Sequence, residues 1–481
     1  MSVKNKPLKS THKSSSRSSV RKKQYQSNTK NKNSWFAITL SLTAIALLSA
    51  TAGALLAISL SSVPLKQAKL TPKQAAVFDN DKAISYKNLT FPQLSRPVNI
   101  LVLGTKVLSS DIGAKSNAGY HTLVNSVSGL TDTMMLIRFD PEKQKLTVLS
   151  IPRDTQTEIK DHGVRKINEA NALGGPSLAA ETVSHLLGEV PIDRYLRVNV
   201  QAVEKLVDAL GGVTVYVPKD MKYQDDSQHL YINLKEGEQH LDGNKTLQLL
   251  RFRKDSLGDI GRIQRQQMLT RALIEQALKP QTLLKIPDIL GILQSYLDTN
   301  LSMEELVAVA AMAAKTPRSD VQMLMLPGDF SNNGRHSASY WLPNSRKIQT
   351  IASQYFEAIP PATDSSFAEE SQDSSTLEDP FQLRIAIQDS NDNSEAVQAL
   401  VRQLSEAGYR RIVVTQKWRE PLKKTRIVAQ NGDTSGAANV RASLGLGEVL
   451  VESTGYLLSD ITIQVGQDWQ QKTGIDSPFN R

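Results

Sequence analysis

One stretch constrains the whole chain: Trp35–Leu60 runs 26 residues without a charged side chain. As a helix rising about 1.5 Å per residue it reaches about 39 Å, enough to cross a hydrocarbon core roughly 30 Å thick with some tilt. A core helix of a globular protein is seldom so long and so free of charge. Trp35 stands at the edge of the run, where an indole favours the membrane interface. Ten Lys and Arg precede it, from Lys4 to Lys32. The positive-inside bias holds that side in the cytoplasm and sends residues 61–481 across. The reading is a single-pass protein of the cytoplasmic membrane, N-terminus inside. Ala50-Thr51-Ala52 also has the form of a signal-peptidase site. A cleaved signal peptide is therefore the alternative, and the long basic region before the run argues against it.

Charge is distributed as unevenly as hydropathy. Residues 1–78 carry 13 Lys and Arg and no acid; the first acidic residue is Asp79. Of 57 basic and 48 acidic residues, 44 and 48 remain for 79–481, a net of −4. The formal charge of +9 thus belongs to one end, and the foldable part is nearly neutral. That balance and the topology exclude nucleic acid as an expected partner. Residues 1–34 have too few apolar side chains to bury a core and read as a disordered cytoplasmic tail. With Cys at 0, disulfides, thiolate metal sites and a cysteine nucleophile are excluded.

After the apolar run, residues 61–95 read as a stalk, with Pro64, Pro72 and Pro92 and little periodicity. Val98–Leu103 is a continuous apolar run, the pattern of a strand buried on both faces. Met134–Phe139, Leu146–Ile151 and Val213–Val217 predict further strands. Helical spacing marks Ser177–Leu187, Val200–Leu210, Asn244–Leu250 and Ile263–Leu278. Ser302–Lys315 is a helix opened by a capping box, Ser302 with Glu305. Strands mixed with helices predict an α/β domain over 96–356, a central mixed sheet flanked by helices. A break follows within 357–381: Pro360-Pro361, and over 359–380 six acids and no base, a solvated linker. Residues 382–470 predict a second, small α/β module, with strands near Leu383–Gln388, Arg411–Gln416, Thr425–Gln430, Val449–Val451 and Ile461–Val465, and helices near Ser394–Ala407 and Ala437–Leu444. It shows no chemical cluster and is expected to be dispensable for the core chemistry.

No metalloprotease, nucleophile-elbow, Walker or dinucleotide motif is present, and the 7 histidines are scattered. The candidates are arginines beside turns and acids. Arg153 and Asp154 follow a predicted buried strand through Pro152, at the end where α/β sheets place ligands. Arg251 and Arg253 flank Phe252, so in an extended segment they would point to one side. Arg262 and Gln266 are four apart and share a helix face; Arg265 lies on a neighbouring face and is a further candidate for substrate binding. Guanidiniums match phosphate oxygens bidentately and stay charged. Asp132, in Thr131-Asp132-Thr133, offers a carboxylate for Mg²⁺, which usually takes one or two carboxylates plus phosphate oxygens. Taken singly, each has a bland reading: a solvated arginine, a surface ion pair, a strand-end turn.

Taken in order, T-D-T-M-M-L (131–136), L-S-I-P-R-D-T (149–155), K-I-N-E-A (166–170), D-A-L-G-G-V (208–213) and R-F-R-K-D…D-I-G-R-I-Q-R-Q (251–266) resemble the LytR-CpsA-Psr family. The likeness is clearest over 96–280, and 382–466 resembles the LytR C-terminal domain often appended to it, although Gln388-Asp389-Ser390 replaces its usual Asn-Gly turn. The resemblance implies a membrane-anchored extracytoplasmic phosphotransferase. It would move a glycopolymer from a polyprenyl-pyrophosphate carrier to peptidoglycan in cell wall biogenesis, the lipid tail lying in an apolar groove. It implies that the diphosphate-binding arginines are Arg153, Arg251, Arg253 and Arg262, with Gln266 beside them, and that Asp132 is the family's aspartate before the hydrophobic strand, here expected to hold Mg²⁺. Where the family commonly carries a second aspartate, this chain has Lys106; Asp111, in the same loop, is the candidate replacement as a metal ligand. Asp154 or Asp111 is the candidate for deprotonating the acceptor. Two alternatives stay open: a polyprenyl-diphosphate pyrophosphatase using the same residues with water, and a non-enzymatic envelope regulator, the sense of the family's older label, cell-envelope-related transcriptional attenuator.

Overall fold

The computed structural model describes residues 67–78, 81, 83–85, 92–105, 129–226, 230–252, 258–277, 279, 282, 289, 291, 296–331, 340–358, 382–430, 432–456 and 458–474. The basic tail, the apolar run Trp35–Leu60 and the acidic linker over 359–380 lie outside the described residues. Among the described residues no helix is long and apolar enough to cross a membrane.

The elements of the first domain run β1 Val98–Thr105, β2 Thr131–Asp140, β3 Lys145–Ile151, α1 Ala170–Leu186, β4 Arg194–Asn199, α2 Val200–Ala209, β5 Val213–Val217, β6 Gly237–Leu241, α3 Gly243–Arg251, α4 Gly258–Ala277, β7 Leu297–Thr299, α5 Met303–Lys315, β8 Val321–Met325 and α6 Ser345–Phe356. Six strands form the central sheet in the order β7-β4-β1-β2-β3-β8. It is mixed: β1 pairs antiparallel with β2 and parallel with β4, and β3 pairs parallel with β8. All of β1 except Gly104 is buried, as its unbroken apolar run requires. On β2 the alternation sorts two faces: Met134 and Leu136 enter one core, while Met135 and Ile137 turn to the other side.

Local signals explain most boundaries. The side chain of Ser302 accepts from the Glu305 amide while Glu305 reaches back to the Ser302 amide, completing the expected capping box at α5. Gly174 and Gly175 interrupt α1, the latter at φ 70°, and Pro176 restarts it, as suits proline at a first helical position. β4 carries no apolar signature because Arg194 and Arg197 sit in it. Both are buried against acids: Arg194 Nη2 donates to Glu305 Oε1 at 2.7 Å, and Arg197 Nε donates to Asp298 Oδ2 at 2.5 Å.

The expected stalk needs correction. Phe78, Ala83 and Leu94 are buried, Ile84–Ser85 pairs with Gln93–Leu94, and the Ala68 amide donates to Asp298 Oδ1 at 2.7 Å. Phe78, Ala83 and Leu94, among the described residues of that range, are therefore packed onto the domain, because scattered apolar residues find long-range partners.

The second module contains β9 Arg384–Asp389, α7 Ser394–Glu406, β10 Arg411–Val414, β11 Arg426–Ala429, α8 Thr434–Leu444, β12 Glu448–Val451, β13 Ile461–Val465 and α9 Gln467–Thr473. Its sheet order is β10-β9-β13-β11-β12. The module shares one hydrophobic core with the first domain, Leu324 and Phe356 joining Leu383 and Ile385. Arg271 pairs with Glu452 at 2.6 Å, and the Tyr355 hydroxyl donates to the Gly432 carbonyl at 2.6 Å. Burial, followed by the charge of Asp433, pushes the Tyr355 hydroxyl up to about 12, so it stays a donor at neutral pH.

Candidate functional site

The sheet and helices α2, α3, α4 and α5 line a cavity of about 770 Å³. Its wall is built by period. Met135 and Ile137 come from β2, Leu206 from α2, Leu269 and Leu273 from α4, and Val309 from α5. On α4 the sequence spacing Arg262, Gln266, Leu269, Leu273 keeps one helix face toward the cavity, with polar residues toward its N-terminal end and leucines deeper along it. The other polar lining includes Asp132, Thr133, Asn199 and Arg251. Asp132 is the one acidic residue among the described residues that line it.

Backbone details hold this rim. Gly104 ends the regular part of β1 opposite Thr133, and the register shifts between Gly104 and Thr105. A Cβ at Gly104 would meet Thr133 Cβ at 2.9 Å, so only glycine allows that approach. Thr133 Oγ1 in turn accepts from Gln266 Nε2 at 2.7 Å, tying β2 to α4. Asn199 caps α2 by accepting from the Ala202 amide at 2.8 Å.

Arg153 and Asp154 stand behind Asp132 rather than on the cavity wall. Arg153 Nη1 donates to Asp132 Oδ1 at 2.8 Å, and its Nε lies 3.4 Å from Asp154 Oδ2. Lys166 Nζ donates to Asp154 Oδ1 at 2.9 Å. The four alternate in sign, Asp132–Arg153–Asp154–Lys166, each charge orienting the next. Asp154, held between two cations, orients Arg153. Arg265 turns away from the cavity: its Nη2 donates to the Phe252 carbonyl at 2.6 Å, and its guanidinium lies 5.9 Å from the Phe252 ring.

Of the sequence candidates, the fold thus gathers Asp132, Arg251, Arg262 and Gln266 on one cavity. Arg251 is the last residue of α3, not part of an extended segment; Asp242 caps the start of that helix, its side chain accepting from the Lys245 amide, and the backbone turns extended only at Phe252. Arg253, Asp111 and Lys106 lie outside the described residues. Sequence reasoning gave no role to Lys166, Thr133 or Asn199. Asn199 before a helical pattern had a visible signal, that of an N-cap; the ion pair of Lys166 with Asp154 had none.

The chain matches the family model described as "LytR_cpsA_psr family" over residues 63–357 and that described as "LytR cell envelope-related transcriptional attenuator" over 382–469. It is 34% identical over 199 residues to Regulatory protein MsrR of Staphylococcus aureus (strain COL), covering 41% of this chain and 59% of that protein. The chain therefore spans well under two thirds of that relative's length. It is 31% identical over 255 residues to the polyisoprenyl-teichoic acid–peptidoglycan teichoic acid transferase TagU of Bacillus cereus (strain AH820), covering 53% of this chain and 76% of that one. Among solved structures, TagV of B. subtilis is 26% identical at a TM-score of 0.46, covering 55% of this chain and 99% of that one.

Proposed function

The chain belongs to the LytR-CpsA-Psr family and carries a LytR C-terminal domain, and from that premise we propose that it is a membrane-anchored transferase. It moves a glycopolymer phosphate from a polyprenyl-diphosphate carrier to a hydroxyl of peptidoglycan, outside the cytoplasmic membrane. The observation that carries this reading is the composition of one cavity. Its walls are apolar, while Arg251, Arg262, Gln266 and Asp132 all line it. An amphiphile with a hydrocarbon tail and an anionic head fits that division.

In this reading the polyprenyl chain lies among Ile137, Leu269 and Leu273, and the diphosphate meets Arg251 and Arg262. The acceptor oxygen bonds to the sugar-linked phosphorus, the bond to polyprenyl phosphate breaks, and the acceptor proton leaves to solvent or a carboxylate. Phosphoryl transfer is largely positioning and electrostatics, so guanidiniums fixed where charge grows on the leaving group lower the barrier. Gln266, anchored on Thr133, keeps α4 in register with the sheet. Arg153, steadied by Asp154 and Lys166, holds the Asp132 carboxylate in place. The donor set fits a Mg²⁺ ion, since one carboxylate beside a diphosphate site is a usual magnesium arrangement. Asp132 would hold the ion, which when bound supplies further neutralisation of the diphosphate.

The test uses full-length protein in detergent micelles with a synthetic polyprenyl-diphosphate disaccharide, following release of polyprenyl phosphate. Wild type releases it, with peptidoglycan fragments as acceptor. Arg251→Ala releases it about ten- to a hundred-fold more slowly, from about 1.5–3 kcal/mol per hydrogen bond to a charged group. A folded wild type that releases none with Mg²⁺ and acceptor present overturns the reading.

A further inference from the structure

The second module's sheet reverses direction in its strand order. The chain runs from β9 through α7 to its neighbour β10, then crosses to the other half of the sheet at β11. In open α/β sheets the crevice outside the carboxyl ends of the strands, at such a reversal, is where ligands bind. A cleft of about 1170 Å³ opens beside the carboxyl ends of β9 and β10, on one side of that reversal. Gln388, Asp389 and Ser390, at the end of β9, line it together with the segment that follows β10. Its other wall is the first domain: Thr214–Tyr216 of β5, and Gln264, Arg265, Met268 and Arg271 of α4. Arg419 crosses to Glu236 at 2.9 Å, joining the two modules beside the cleft.

The lining differs from that of the apolar cavity. Tyr216, Trp418 and Tyr456 contribute aromatic rings, and the described lining residues include six basic and five acidic side chains. A balance so close to neutral favours neither a polyanion nor a lipid diphosphate. Aromatic faces take the C–H faces of sugar rings, and side chains of both signs take hydroxyl and amide edges. Trp418 is half-buried, its Nε1 within the protein and part of its ring open to the cleft.

We propose that this interdomain cleft binds the acceptor: a glycan strand of uncharged, amide-bearing sugars. The inference rests on the function proposed above and adds where the acceptor lies. Helix α4 separates the two spaces, with Arg262 and Gln266 lining the cavity and Arg265 and Arg271 lining the cleft. A helix is about 10–12 Å across with its side chains, so the cleft holds the strand a helix width from the diphosphate arginines, and a sugar farther along the strand brings the attacking hydroxyl to the phosphorus. The C-terminal module, expected from sequence to be dispensable, then supplies half of the acceptor site.

The experiment titrates full-length protein in detergent micelles with a peptide-free tetramer of N-acetylglucosamine, followed by calorimetry and saturation-transfer NMR. Saturable binding is expected, weakened about tenfold or more by Trp418→Ala, as for truncation of an aromatic anchor. Transfer to glycan, and the polyprenyl phosphate released with it, should fall in step with binding, while urea unfolding stays close to wild type. Should Trp418→Ala unfold the module, Tyr456→Ala, at a residue 36% exposed, makes the same measurement. Binding unchanged in the folded variant, no binding by wild type, or tighter binding of a glycerol-phosphate oligomer would each overturn the proposal. The titration needs no donor. Absence of donor cleavage therefore defeats the transferase reading alone, and absence of glycan binding defeats the cleft alone.

Discussion

Arg197 and Arg262 are equally hidden, each 6% exposed, yet they are buried for different ends. Arg197 faces Asp298 across the β4–β7 register and also donates to Asn171 Oδ1 at 3.3 Å. Asp298 accepts in addition from the Ala68 amide and the Tyr195 hydroxyl, and burial, with Asp298 beside it, pushes that phenol well above its ordinary range. There the protein supplies the counter-charge and closes the network on itself. Arg262 lines a cavity with a largely apolar wall. Under the proposed function, that is where an anion with a hydrocarbon tail would meet it. Burial alone does not separate a structural arginine from a binding one; what it faces does.

The sharpest way to break this contrast is Asp298→Ala. It strands Arg197 without its carboxylate, and removing one member of a buried pair costs about 3–5 kcal/mol. Urea unfolding of the full chain should show that loss, while donor cleavage per folded molecule persists. A loss below about 1 kcal/mol, the range of an exposed pair, would mean the network is not closed as described.

Arg262→Ala should do the reverse. We expect donor cleavage to fall about ten- to a hundred-fold, from about 1.5–3 kcal/mol of lost charge-assisted hydrogen bonding, with far less change in unfolding than Asp298→Ala produces. Arg262→Lys should recover only part, because an ammonium lacks the planar fork. Equal destabilisation by the two alanine variants, with activity following folded protein, would erase the distinction.

The smallest expected effect is at Glu357, a half-exposed carboxylate between exposed Lys143 and buried Arg138. Lys143, by a hydrogen bond, and then Arg138 hold the Glu357 carboxyl below its ordinary range despite partial burial. A depressed pKa contributes stability that is present above the unfolded value, about 4.3, and is lost as pH falls through the folded value. Glu357→Gln should therefore flatten the acid limb of stability against pH and change little at pH 7, about 1 kcal/mol, since the carboxylate is half-exposed and Asp140 stays beside Arg138. A large loss at pH 7 would place Glu357 with Asp298 instead.

Much of the framework was legible because its causes are local. The apolar run of β1, the capping box of α5, the Arg262/Gln266 spacing and the β-branched pattern of the second module's last strand all lie within a few residues of chain. That strand, Ile461–Val465, matches its expected bounds without change. β4 was not legible. Two arginines in six residues argue against a buried strand until their acids are known, and those stand 111 and 101 residues away. For the same reason the stalk was misjudged: Phe78 and Leu94 have no local partners to reveal their burial.

At the site the division is the same. The ordered motifs named Asp132, Arg153, Arg251, Arg262 and Gln266 as a set, and that set already implied the family. Which of them meet could come only from tertiary structure: Asp132, Arg251, Arg262 and Gln266 on the cavity, Arg153 behind Asp132, Arg265 turned to Phe252. Residue type and short spacing determine what a segment can form, since caps, periodicity and charge act within a turn or two of chain. Cavities, ion-pair partners and the cleft between modules arise where segments far apart in sequence pack together. Nothing within a single window encodes which segment will arrive.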